Sequence, residues 1–136
     1  MDQAMKIGFA CIVLTTALST AIGPAGAHHS MAAVFDFSQR LSLTGTLISI
    51  DWRNPHIYLY VDAANEENQI ESWSFEGPSP VVFRNLENAS REDFESAIGE
   101  SIVVDASLAR DGSMVGLIRT IELPGGKRIT LCPTNC

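Results

Sequence analysis

The chain has three histidines among 136 residues, and two of them are adjacent: His28 and His29, in "AGAHHSMAAVFDF". The third, His56, lies in "WRNPHIYLY". Directly ahead of His28 the sequence reads as a cleaved export signal. Lys6 supplies a positive start, Ile7 to Ile22 carries no charge, and "GPAGA" ends with small residues at Ala25 and Ala27. That is the small-x-small exit a signal peptidase accepts. Cleavage after Ala27 makes His28 the first residue. Its α-amine and its imidazole can then chelate one metal ion. A third nitrogen, from His56 or His29, would complete a T-shaped site of the histidine-brace kind, which suits copper. Both ligand types approach the unprotonated state near neutral pH. Before cleavage the amine is locked in a peptide bond and the chelate does not exist. The plainer alternative is a solvated histidine pair, with His56 bonded only to the backbone of its own turn.

Sulfur is the next candidate ligand. The tail "CPTNC" holds Cys132 and Cys136, while Cys11 lies within the apolar signal run. Outside the cytoplasm a disulfide is the default for such a pair. It would close a very small loop, so it would tie off the tail and not hold the fold. The alternative is a reduced dithiolate, which with histidine would suit Cu(I).

Aromatic residues offer a different chemistry. Trp52, Tyr58, Tyr60 and Trp73 could line a ligand or protein-partner surface on one face of a sheet. The competing role is core and cross-strand packing. Catalytic patterns are missing: "PGGK" lacks the context of a phosphate loop, no nucleophile elbow occurs, and three histidines make a triad assignment empty. The expectation is therefore a binding protein and not an enzyme. Residues 28–136 retain the net charge of −7 that the whole chain carries, since Asp2 and Lys6 cancel. Such acidity opposes nucleic acid and anionic membrane surfaces as partners. The apolar run is also shorter than the ~20 residues a spanning helix needs, so no membrane association is expected after cleavage.

The elements that must position these groups are mostly strands. Residues 28–40 carry few strand signals and read as an extended arm. "LSLTGTLISIDW" alternates, but its apolar phase slips near Gly45, which predicts a bulge there with Ile48, Ile50 and Trp52 in the new phase. "HIYLYVDA" sets Ile57, Leu59 and Val61 on one face and Tyr58 and Tyr60 on the other. Asn65 to Gln69 is a polar turn, and "IESWSFEG" alternates again. A helical interruption follows. It has Pro80 in a first turn and Val81, Val82, Phe83 and Leu86 as a short apolar face. Ser90 and Asp93 resemble a capping box, and Phe94, Ala97 and Ile98 are expected inward. "SIVVDASLA", "MVGLIRTIEL" and "RITL" supply the last strands, joined by "RDGS" and "PGGK" turns. The sum is an all-β domain with one or two short helices and about six strands, curled into a small OB-like barrel. Its expected limits are signal peptide 1–27, arm 28–40, barrel 41–131 and cysteine tail 132–136.

Four stretches, "AHHSMAAVFD", "LTGTLISIDWRNPHIYLYV", "WSFEGPSP" and "ARDGSMVGLIRTIELPGGKRI", resemble a bacterial family of exported proteins, the domain-of-unknown-function family numbered 6152. The resemblance covers nearly all of the chain after Ala27 and implies a small β-rich extracytoplasmic domain. It implies no activity. "NLENASREDFE" departs from the family pattern, and "CPTNC" looks like an addition to it. Localisation in the periplasm or outside the cell follows from both the signal and the resemblance.

Overall fold

Alternation of apolar residues dictates six strands, and a computed structural model describes them over residues 31–132. The expected signal over 1–27, His28, His29 and Cys136 lie outside the described residues. The strands are β1 (Phe35–Asp51), β2 (Tyr58–Ala64), β3 (Ile70–Glu76), β4 (Ser101–Ala109), β5 (Val115–Leu123) and β6 (Lys127–Thr130). Three short helices accompany them: α1 (Met31–Val34), α2 (Pro80–Arg84) and α3 (Arg91–Glu95). The sheet runs β3-β2-β1-β4-β5-β6, and β3 also pairs with β5. That extra pairing is parallel, whereas every other pair is antiparallel. Hydrogen bonds therefore close a ring through β1, β2, β3, β5 and β4, with β6 appended to β5. The expectation of a mostly-β domain of about six strands holds, including helical matter between the third and fourth strands.

Ring closure depends on a close approach. Phe75 of β3 lies opposite Gly116 of β5, and a Cβ on Gly116 would stand 2.9 Å from the Phe75 ring and 3.0 Å from Ala106 Cβ. Leu47, Leu59, Val61, Phe75, Val104 and Ile121 are buried inside the ring.

Three details differ from the sequence expectation. First, the arm is shorter: β1 begins at Phe35, and Phe35 and Asp36 pair with Ala109 and Leu108. The register breaks between Asp36 and Arg40. There Asp36 Oδ1 accepts from Ser38 N–H at 3.0 Å and from Ser38 O–H at 2.7 Å. This local side-chain turn interrupts the alternation that would have revealed a strand.

Second, the bulge sits at Ile48, not Gly45. The β1–β2 register shifts between Leu47 and Ser49, and Ile48 turns outward with 46% exposure. The inward phase passes from Leu47 to Ile50. Gly45 stays in register with Ile102. It is glycine because a Cβ would lie 2.6 Å from the Asp62 carbonyl oxygen.

Third, the helical segment buries less than expected. Ser79 caps α2 by accepting from Val82 N–H, with Pro80 at the helix start. Ser90 and Asp93 form a reciprocal capping box on α3. Each helix is little more than one turn, so one aromatic per helix reaches the core. Phe83, Phe94 and Ala97 are buried and Leu86 packs against the core as expected, while Val81, Val82 and Ile98 are exposed. Phe83 and Phe94 meet edge-to-face at 4.9 Å, and Trp52 meets Phe83 at 4.9 Å and Phe94 at 6.2 Å. This cluster joins the helices to the end of β1. Among the described residues no helix is long and apolar enough to cross a membrane.

Candidate functional site

His56 lies in the connection between β1 and β2, after a cis Asn54–Pro55 peptide. The next residue fixes it. Ile57 is fully buried, its N–H donates to Pro78 O at 3.1 Å, and its carbonyl accepts from Gly77 N–H at 2.9 Å. The His56 ring is thereby held against the end of β3. Its Nδ1 stands 2.9 Å from Glu76 Oε1 and 3.2 Å from the Gly77 carbonyl oxygen.

Both neighbours of Nδ1 are acceptors, so Nδ1 carries the hydrogen. A neutral imidazole then has its lone pair on Nε2. A carboxylate behind the Nδ1–H of a histidine is the usual second layer of a metal site, fixing the ring and raising the basicity of the other nitrogen. Glu76 also faces Tyr58, its partner across β2 and β3. Burial pushes the Tyr58 hydroxyl above its ordinary pKa, aided by the Glu76 charge and a hydrogen bond to it.

His56 lines a cavity of about 190 Å³ together with Met31, Leu117, Ile118, Leu131 and Cys132. Met31 arrives there from the N-terminal side, and Arg110 holds its segment down. Arg110 N–H donates to Val34 O at 2.9 Å, Arg110 Nε donates to Ala32 O at 2.9 Å, and Arg110 Nη1 pairs with Asp36 at 3.5 Å. Among the described residues no three His, Cys, Asp or Glu side chains converge to hold a metal ion. The described part of the chain contributes one oriented imidazole, that of His56. Cys132 is buried and disulfide-bonded.

The four aromatic candidates do not form one surface. Trp52 packs against Phe83 and Phe94, and Trp73 stacks on Phe75 at 5.8 Å with planes 8° apart. Both tryptophans are partly buried against the core. Tyr58 and Tyr60 face the other way and line an open depression with Arg53, Asn54, Pro55 and Ser74.

Glu76, Gly77 and Met31 were not legible as site residues. Glu76 becomes visible only through the Tyr58–Glu76 register, and Met31 only through the docking of α1. The turn around His56 and the alternation of Tyr58 with Ile57 were the available signals.

Neither a curated protein nor a solved structure matches the chain. A family model does match, over residues 16–119, a stretch that includes all three histidines and Glu76 and ends before β6 and the cysteine tail. That model is described as a family of unknown function (DUF6152), and the chain belongs to this family.

Proposed function

We propose that the protein is an exported binding protein that holds a transition-metal ion, with copper preferred. The ligands are the α-amine and imidazole of His28, with His56 Nε2 as the fixed third nitrogen and His29 as the alternative donor. One observation carries the reading: the single described histidine has its Nδ1–H committed to Glu76 at 2.9 Å, in a cavity that Met31 also lines. His28 precedes Met31 by three residues, so their Cα atoms are no more than about 11 Å apart. That short reach from Met31, which lines the His56 cavity, supports the reading. Three nitrogens in a T suit Cu(II).

Calorimetric titration of Cu(II) into protein that begins at His28 tests this. One equivalent should bind, and His56→Ala should weaken binding while leaving the circular dichroism spectrum unchanged. Equal affinity in that variant would reject His56 as a ligand.

A second reading is supported by the outward Tyr58–Tyr60 depression: a ligand or protein-partner module that uses this face. It requires Tyr60→Ala to abolish partner capture and His56→Ala to leave it intact.

A further inference from the structure

A second cleft shares no lining residue with the His56 cavity. It measures about 250 Å³ and is lined by Trp52, Asn54, Pro80, Phe83, Arg84 and Arg91, among others. Its apolar lining is Trp52, Pro80 and the exposed Val81, with the buried Phe83 ring edge-to-face against Trp52 behind them. Its cations are two of only nine in a chain of net charge −7, and no carboxylate lines it.

The two arginines are differently placed. Arg91 lies with its guanidinium carbon 5.1 Å from the centre of the Trp52 ring. Its Nε donates to Glu95 Oε1 at 2.6 Å, which leaves the Nη groups for another acceptor. Arg84, at the end of α2, is exposed and forms no ion pair among the described residues. Two guanidinium groups at one opening repel each other unless an anion lies between them, and planar guanidinium matches a carboxylate bidentately.

We propose that this cleft binds a small aromatic carboxylate. The apolar body rests on Trp52, Pro80 and Val81, and the carboxylate meets Arg84 and Arg91. Size sets the class of ligand. A cavity of ~150 Å³ accommodates benzene, so this cleft takes a fused two-ring system with its acid group at the mouth. A bare inorganic anion would leave the apolar lining unused, and a neutral ring would leave Arg84 without an ionic partner, whereas Arg91 already pairs with Glu95.

The test is calorimetric titration of naphthoate, and of naphthamide as its neutral isostere, into the chain that starts at His28. Naphthoate should bind, with naphthamide at least about tenfold weaker, the difference expected when a charged hydrogen-bonding partner is lost. Arg84→Gln should weaken naphthoate about tenfold and keep the fold by circular dichroism. His56→Ala should leave it unchanged, which separates this cleft from the metal reading. Equal binding of the two probes, unaltered naphthoate affinity in Arg84→Gln, or no binding at millimolar naphthoate would each overturn the proposal.

Discussion

The Glu76 carboxylate stands 2.9 Å from Nδ1 of His56, and this contact decides which imidazole nitrogen is free. A metal ion at Nε2 would feel Glu76 through the ring. Glu76→Ala should therefore lower copper affinity although Glu76 is not itself a ligand. Such outer-layer losses run about 10–100-fold. The Gly77 carbonyl remains 3.2 Å from Nδ1, so the effect should lie near the lower figure. Calorimetry on the variant checks it, and unchanged affinity would remove Glu76 from the account.

Arg110 is the second point of leverage. Its side chain holds Ala32 O and Asp36, and so restrains α1, whose Met31 lines the His56 cavity. Arg110→Ala should weaken copper binding several-fold while the barrel melts nearly as before, since exposed ion pairs contribute only ~0–1 kcal/mol. The ratio of affinity loss to stability loss separates a positioning role from a general one.

Gly45 allows β1 to cross β2 closely. Gly45→Ala places a Cβ 2.6 Å from a backbone oxygen of Asp62 and 2.7 Å from Val61 Cγ1. The strand must shift, at a cost of ~1–3 kcal/mol typical of overpacking. Urea unfolding should show a lower midpoint with an unchanged slope.

Asp93 links the capping box to β6 through Lys127 Nζ at 2.7 Å. Lys127, with the Ser90 backbone and hydroxyl, holds its carboxyl at about 2, below the ordinary 3.8. A depressed folded pKa means that the unfolded chain binds more protons over this range. The contribution is thus present above pH 3.8 and lost as pH falls through about 2. The wild type should lead Asp93→Asn in melting temperature at neutral pH, and the gap should close across that window. A gap that stays constant with pH would contradict the assignment.

Much of the fold was legible because alternation is a local signal. Ile57, Leu59 and Val61 against Tyr58 and Tyr60, the Ser90–Asp93 cap and the polar Asn65–Gln69 turn all read correctly from their own neighbours. The misreadings share a cause. The Asp36–Ser38 turn masked the start of β1, the bulge fell where two isoleucines looked in phase, and α2 and α3 were too short to bury the apolar faces expected of them. The site was less legible. His56 stood out by rarity, but its partner Glu76 is twenty residues on and meets it only through the β2–β3 register. Trp52 and Trp73 looked equivalent to Tyr58 and Tyr60, but Trp73 stacks on Phe75 and Trp52 packs on Phe83 and Phe94.

The central claim is that a nitrogen exposed at His28 and His56 Nε2 hold one ion. Electron paramagnetic resonance of Cu(II) compares the chain that begins at His28 with one that carries a single extra residue before it. The account predicts nitrogen hyperfine structure from several ligands in the first, and its loss with a large drop in affinity in the second. An identical spectrum and affinity in the extended chain would contradict it.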